Sequence, residues 1–397
     1  MIYVLSLVAW VVAGSLAAIL LYLSFELVVG LKRSDETHVE SSQSHAVGAI
    51  LVPAHNEALN IGSTVNALRL AAPNCRIVVV ADNCTDNTLE LAMLAGAEAI
   101  VRNDQARLGK GFALAFGRDY LANSPPDGVV IIDADCRLSE GGAEILIGRA
   151  VLGNCPVQAA YVLTAEDTAS PLISISNFAI LLKNVVRARG LKRLAGGTLL
   201  FGTGMAFPWT LFARLDLATD SAVEDLHLGL SLAKQGIRVG FVDRALITSP
   251  AASVADSEGQ RSRWEHGFMQ TAARNGLPML FSGIRNGSRH LLTIGAHMMV
   301  PPLAMLILLC LFALPLLATL LWLGSSSIAP LMLLCVCLAL FAMALLAAWW
   351  QVGRGVLSVA TMFKIPLYIL WKVPIYLRFF TARQTGWNRT QRDGEHL

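Results

Sequence analysis

The run Val129-Val130-Ile131-Ile132-Asp133-Ala134-Asp135 sets four β-branched residues directly before two acids. Four such residues in a row read as a short strand buried on both faces, and the acids fall where it ends. Two carboxylates so close repel each other, and capping a helix needs only one of them. A hard divalent cation carried on a diphosphate removes that repulsion, because Mg²⁺ or Mn²⁺ takes oxygen ligands from one or two carboxylates plus phosphate oxygens. The run therefore reads as a strand end that holds a metal–diphosphate group.

Working outward, short β-rich runs alternate with helical stretches. Strands are expected at 47–52, 76–81, 97–101, 129–132, 157–163 and 238–242, and helices at 58–70, 86–95, 110–122, 141–151, 171–189 and 224–235. That alternation predicts an α/β fold, a mostly parallel sheet flanked by helices, in which ligands bind beyond the carboxyl ends of the strands. Polar clusters sit at those ends. Val52-Pro53-Ala54-His55-Asn56-Glu57 closes the first strand and Ala81-Asp82-Asn83-Cys84-Thr85-Asp86 the second, each reading equally as helix capping by Asn56 and by Thr85 or Asp86. Val223-Glu224-Asp225 opens a helix, where acids suit the helix dipole or supply a general base. Gln260-Arg261-Ser262-Arg263-Trp264 follows the polar stretch 249–259. It reads either as a basic segment near a membrane or as a set that pairs with a diphosphate and stacks on a sugar ring.

Of the 59 charged residues, 49 lie within 31–289, which marks the middle as water-soluble and the flanks as membrane. A wholly soluble, disordered or collagen-like chain is excluded by this pattern, and a pure pore is disfavoured because the soluble part is the larger. The net charge of +3, without a basic surface cluster, gives no case for nucleic acid. Met1 to Phe25 carries no charge and is expected to be a retained spanning helix rather than a cleaved signal. Lys32 and Arg33 follow it and place the middle domain in the cytosol. His290 to Gly353 is again uncharged, and Gly324-Ser325-Ser326-Ser327 divides it into spans at about 297–322 and 328–350. Residues 356–380 mix apolar and basic residues around Pro366 and Pro374, as in an interfacial amphipathic element, with a fourth span the competing reading. The expected organisation is a membrane helix at 1–30, a cytosolic domain at 31–289 behind a Ser41–Ser44 linker, two spans in 290–353, and an interfacial segment with a basic cytosolic tail at 354–397. Seven cysteines without a CxxC pair are expected as free thiols.

Together these motifs resemble the membrane-integrated family 2 glycosyltransferases, to which bacterial cellulose, hyaluronan and poly-N-acetylglucosamine synthases belong. The resemblance covers about 47–275 and rests on Pro53-Ala54-His55-Asn56-Glu57, Asp82, Asp133-Ala134-Asp135, Glu224-Asp225 and Gln260-Arg261-Ser262-Arg263-Trp264, in that order. It implies a GT-A fold and transfer of a sugar from a nucleotide diphosphate donor with inversion. By position, Ala54, Glu57 and Asp82 would contact base and ribose, and Asp133 and Asp135 would hold nucleotide and Mg²⁺ or Mn²⁺. Asp225 would be the base helped by Glu224, Gln260 and Arg263 would grip the diphosphate, and Trp264 would mark the acceptor. Lys110, in Leu108-Gly109-Lys110-Gly111, resembles a segment that approaches the donor phosphates, and Gly202 and Gly204 of Phe201-Gly202-Thr203-Gly204 resemble an acceptor-side turn. The sequence departs from the pattern at His55, at Val223 and at Asn83-Cys84-Thr85-Asp86, and with only two spans after the domain this argues against processive synthesis.

The resulting expectation is an inverting transferase of the bacterial inner membrane, adding a hexose or N-acetylhexosamine, from a UDP-sugar, to an envelope or exopolysaccharide acceptor. Transfer of one sugar to a polyprenyl-linked or other lipid is the alternative, and a non-catalytic nucleotide-binding subunit beside polysaccharide export partners is a third reading.

Overall fold

The computed structural model describes residues 2–33, 46–164, 170–251 and 254–381, without the side chains of 254–258, 260 and 380. The Ser41–Ser44 linker and the tail beyond 381 lie outside the described residues. In chain order, α1 (Ile2–Leu31) precedes β1 (Gly48–Ala54), α2 (Ile61–Ala71), β2 (Cys75–Asp82), α3 (Thr88–Leu94), β3 (Glu98–Arg102), α4 (Lys110–Leu121) and β4 (Gly128–Ile131). Next come β5 (Arg137–Leu138), α5 (Gly142–Gly153), β6 (Val157–Thr164), α6 (Pro171–Leu181), a π-helical turn (Leu182–Arg187) and α7 (Ala188–Ala195). Then follow β7 (Met205–Pro208), α8 (Trp209–Phe212), α9 (Glu224–Lys234), β8 (Gly240–Pro250), α10 (Val254–Arg285) and α11 (Arg289–Met298). The chain closes with α12 (Leu303–Trp322), α13 (Ala329–Ala348), α14 (Val359–Met362) and α15 (Ile365–Thr381).

The chain forms two compact units: residues 33–169 with 196–268, and residues 1–32 with 170–195 and 269–383. The first is built on one eight-stranded sheet in the order β3-β2-β1-β4-β7-β6-β8-β5. β1 runs parallel to β2 and β4, β2 to β3, and β6 to β8, while β7 is antiparallel between β4 and β6. The sheet is thus mixed, a mostly parallel one with β7 inserted and the two-residue β5 antiparallel at its edge.

Alternation along the central strands explains both faces. Ile50, Val52, Val79 and Val130 pack with Ile61, Val65 and Leu68 of α2 and Leu146 of α5. Their neighbours Leu51, Val78, Val80, Val129 and Ile131 face the other way, onto Leu114 of α4, Phe212 and Leu232 of α9. Burial on both faces is why these strands read as unbroken apolar runs. The register sets Ala54 opposite Ala81 and Leu51 opposite Ile131, so the carboxyl ends of β1, β2 and β4 are neighbours and the polar motifs follow at one edge.

Two strands are additional to those expected from sequence, and two boundaries shift. β7 is four residues long with no alternation to reveal it, and β5 is shorter still. β8 extends to Pro250, well past 242, and α10 begins at Val254 inside the stretch read only as polar.

In the second unit three helices are long and apolar enough to cross a membrane: Ile2–Leu31, Leu303–Trp322 and Ala329–Gly353. The second starts at Leu303, six residues later than its reading, because Pro301 and Pro302 stop continuation from α11. α15 contains Pro374 and carries Lys372 fully buried, its ammonium 5.7 Å from the ring centres of Tyr368 and Trp371. Residues 170–195, read from sequence as part of the cytosolic domain, cluster here with the apolar helices. Gly30 explains the close crossing: a Cβ on it would lie 1.9 Å from the Val186 carbonyl oxygen. Beside that crossing, fully buried Glu26 accepts from Arg187 Nε at 2.6 Å and bonds His297 Nδ1 at 2.5 Å.

Candidate active site

Lys110, the first residue of α4, is the hub of the site. Its ammonium lies 2.5 Å from Asp133 Oδ1 and 3.8 Å from Glu224 Oε1, and it donates to the Gly202 carbonyl at 2.7 Å. Asp225 completes the group beside Gly202, where a Cβ would sit 3.3 Å from Asp225 Oδ2 and 3.6 Å from Lys110 Nζ. Gly202 has φ +84°, a conformation that disfavours any residue with a Cβ, so its backbone approaches both charges as only glycine allows. Five residues from four segments far apart in sequence thus meet at one strand edge: Lys110, Asp133, Gly202, Glu224 and Asp225.

The local supports are specific. Thr203 Oγ1 accepts from the Asp133 amide at 3.2 Å, and the Gly204 amide donates to the Ile131 carbonyl at 2.8 Å. Buried Gln158 of β6 donates to the Thr203 carbonyl at 2.8 Å and accepts from the Phe201 amide at 2.9 Å, which pins the 201–204 turn from both ends. At the α9 N-terminus Asp225 Oδ1 accepts from the Leu226 amide at 2.8 Å. Gly267 of α10 lies against Val223, where a Cβ would be 2.6 Å from a Val223 methyl.

Charge and burial compete here. Burial pushes the Glu224 carboxyl up to about 7, with Lys110 opposing and Asp225 adding to the rise. Burial also raises Asp133, against the pull of Lys110. For Lys110 burial works downward, but Asp133 and Glu224 outweigh it and hold the ammonium above its ordinary range. Burial lowers Arg263, which is close enough for the Glu224 charge to oppose that drop.

A second cluster forms beside Asp82. Its Oδ1 accepts from Arg102 at 2.6 Å and from Asn83 Nδ2 at 3.0 Å, and both partners of the ion pair are nearly buried. Arg102 also reaches Asp104 and the Arg107 carbonyl and lies over the Phe112 ring. Burial raises the Asp82 carboxyl, against the hydrogen bond and charge of Arg102. His55 Nδ1 bonds the Asp82 carbonyl at 2.7 Å, Ala54 is buried at the end of β1, and Glu57 accepts from Asn60 at 3.1 Å. Asn56 and Thr85 bond each other across the two loops, at 2.7 Å through the Thr85 amide, so they tie the loops together instead of capping α2 and α3.

Trp264 is half-buried on α10, and the Gln260 side chain lies outside the description. Arg102, Gln158 and Thr203 were not singled out from sequence; Arg102, a charge closing an apolar strand, was the one with a visible signal. Among the described residues no three of His, Cys, Asp and Glu converge as a metal cage. Asp133 and Asp135 are close enough for their charges to interact, and two carboxylates together are the kind of donor pair a cation carried on phosphate oxygens takes.

The glycosyl transferase family group 2 model matches residues 128–351, more than half of the chain, and the glycosyl transferase family 2 model matches 49–186. An uncharacterized glycosyltransferase of Escherichia coli K12, YaiP, is 28% identical over 232 residues, 55% of this chain. The match spans 56% of the length of that relative. The mannosyltransferase PcManGT of Pyrobaculum calidifontis, solved with GDP-mannose and Mn²⁺, superposes with a TM-score of 0.56 at 20% identity. That superposition covers 94% of this chain and 100% of that one, a likeness of fold that makes the mixed sheet GT-A-like. The chain belongs to glycosyl transferase family group 2.

Proposed function

We propose that this protein transfers a hexose or N-acetylhexosamine from a nucleoside diphosphate sugar, a UDP-sugar in first place, with inversion at the anomeric carbon. The observation that carries the reading is the convergence of Asp133, Glu224 and Asp225 on Lys110 and the Gly202 backbone. Asp225 takes the proton of an acceptor hydroxyl, and the oxygen attacks the sugar carbon as the bond to the diphosphate breaks. Lys110 and Arg263 receive the charge that develops on the leaving diphosphate, with Gln260 on the same helix as Arg263. A carboxyl raised to about 7 leaves Glu224 partly protonated at neutral pH, which lessens the negative charge beside the departing phosphates. Asp133 and Asp135 would hold Mg²⁺ or Mn²⁺, which supplies electrostatic stabilisation of the diphosphate. Asp82 with Ala54 and Glu57 forms the base and ribose side; Gly202, Gly204 and Trp264 form the acceptor side.

The acceptor is an envelope or exopolysaccharide chain, or a lipid carrying the hydroxyl. The three apolar helices favour an acceptor borne at the membrane, with the catalytic unit on the cytosolic side of a bacterial inner membrane. The test is nucleoside diphosphate release by purified protein in nanodiscs from a panel of UDP-, GDP- and dTDP-sugars, with Mg²⁺ or Mn²⁺ and then with EDTA. Turnover of one donor, lost with EDTA and reduced about 10²–10⁴-fold in Asp225→Asn, is expected. A folded Asp225→Asn protein that keeps full turnover refutes the base assignment.

A further inference from the structure

Asp133-Ala134-Asp135-Cys136 closes into a turn, with the Cys136 amide donating to the Asp133 carbonyl at 3.0 Å. Its backbone is tied down on both flanks. Thr203 Oγ1 accepts from the Asp133 amide at 3.2 Å, Thr64 Oγ1 donates to the Ala134 carbonyl at 2.7 Å, and the Ile132 amide before the turn donates to the Leu51 carbonyl at 3.1 Å. These bonds fix where the two acid side chains leave the backbone, but not how their carboxylates are turned. Lys110 orients Asp133. Asp135 stands beside that like charge, and repulsion alone would turn it away.

Cys136 supplies the opposing hold. Its thiol, only 1% exposed, donates to Asp135 Oδ1 with sulfur and oxygen 3.5 Å apart. The residue sits in the apolar core of its face with Ile132, Ala134, Leu138 and Ala143, while Thr203 and Tyr161 are close enough to interact with the sulfur. A small apolar side chain would fill that place; a thiol fills it and adds a weak donor, since an ordinary pKa of about 8.5 leaves it mostly S–H at neutral pH. The contacts run from one acid to the other: Asp133 amide to Thr203 hydroxyl, Thr203 beside Cys136, and the Cys136 thiol to Asp135. Gln158 anchors this run in β6 through the Thr203 carbonyl.

We infer that Cys136 is a positioning residue, whose thiol orients the Asp135 carboxylate for the divalent cation while Thr203 ties that orientation to Asp133. This role rests on the reading of Asp133 and Asp135 as the carboxylates that hold the cation. A carboxylate already turned toward its ion has less freedom to lose on binding, and hydrogen-bonded supports of metal ligands typically carry about 10–100-fold in affinity. A weak donor belongs at the lower end of that range.

The test titrates Mn²⁺ into the full chain in dodecyl maltoside and follows the electron paramagnetic resonance signal of the free ion, which is lost on binding, with thermal unfolding run alongside. Mn²⁺ prefers oxygen ligands, so the loss of a thiol does not remove a ligand. Cys136→Ala removes the donor and keeps a small apolar side chain, Cys136→Ser keeps a donor in the same place, and Asp135→Ala marks the site. Packing and positioning predict opposite orders. Burying a hydroxyl in an apolar core is unfavourable, so Cys136→Ser melts below Cys136→Ala. For Mn²⁺ the order reverses: Cys136→Ala weakens affinity about tenfold and Cys136→Ser stays within about twofold of the unsubstituted protein. If Asp135→Ala abolishes binding but Cys136→Ala leaves it unchanged, or Cys136→Ser loses affinity as much as Cys136→Ala, the positioning role is overturned and the metal reading stands. Mn²⁺ binding as tight in Asp135→Ala as in the unsubstituted protein overturns both.

Discussion

Gly202→Ala separates the two demands made on that turn, backbone conformation and closeness to charge. At φ +84° an added Cβ strains the backbone by about 1–2 kcal/mol. For a unit of this size that lowers the melting temperature by roughly 2–8 °C. Gly236, at φ +77° with no atom within 4 Å of its would-be Cβ, carries the same backbone strain in open space, so Gly236→Ala measures that part alone. The difference lies in contact: the new methyl at 202 meets Asp225 Oδ2 at 3.3 Å and Lys110 Nζ at 3.6 Å. The contact with Lys110 is an ordinary one, but the Asp225 carboxylate must shift by a few tenths of an ångström; since a displacement of about 1 Å costs on the order of 10²-fold, a loss near tenfold in kcat is expected. Thermal fluorimetry and nucleoside diphosphate release, run on both variants in the same nanodiscs, give the two numbers. Equal losses of stability with turnover in Gly202→Ala within about twofold of Gly236→Ala would refute the idea that Asp225 works beside this carbonyl.

A carboxyl whose folded-state pKa is raised stabilises the fold fully below its unfolded value and loses that contribution as pH rises through the folded value. Glu224, ordinarily 4.5 and here about 7, therefore makes stability fall between those pH values by at most about 3 kcal/mol. Asp133 acts in the same sense, and Glu224→Gln should flatten the slope in denaturation run from pH 4.5 to 8; an unchanged slope would exclude burial of Glu224. Arg102→Leu strands buried Asp82 and should cost about 3–5 kcal/mol, with part recovered in Arg102→Leu/Asp82→Asn. If the double variant is no more stable than the single one, the pair is not coupled as described. Asp135→Ala should leave melting nearly unchanged while raising the Mn²⁺ concentration needed for half-maximal turnover about tenfold or more, as for loss of a ligand or its support. An unchanged requirement would remove Asp135 from the metal.

How much of this was visible in the sequence depends on how far each signal reaches. Strands β1, β2 and β4 announce themselves because burial on both faces forces continuous apolar runs, and their polar ends mark the site edge. Strand β7 does not, since Met205–Pro208 gains its place from β4 and β6 on either side and not from its own pattern. Lys110, Glu224 and Asp225 were legible as motifs, yet their meeting at the Gly202 carbonyl is a product of the sheet order, which local patterns do not encode. Gln158 matters by bonding the 201–204 turn, 45 residues away, and Thr203 by accepting from the Asp133 amide 70 residues away, contacts that no local pattern announces. The grouping of 170–195 with the apolar helices was hidden for a different reason. Its basic residues look like those of a soluble helix until Glu26 is seen between Arg187 and His297.

That last arrangement has a consequence for biosynthesis. Glu26 precedes Arg187 by 161 residues and His297 by 271. At ribosomal rates of about 5–20 residues per second, Arg187 is made roughly 8–30 s after Glu26. Through that interval the acid has only the Tyr22 hydroxyl of its own helix, 3.4 Å away, and neither of its basic partners exists yet. The nascent chain must therefore keep that end of the helix near water or a translocation factor, and settle only when the second basic segment has left the ribosome. Order of synthesis, and not only final stability, thus becomes part of how this protein reaches its folded form.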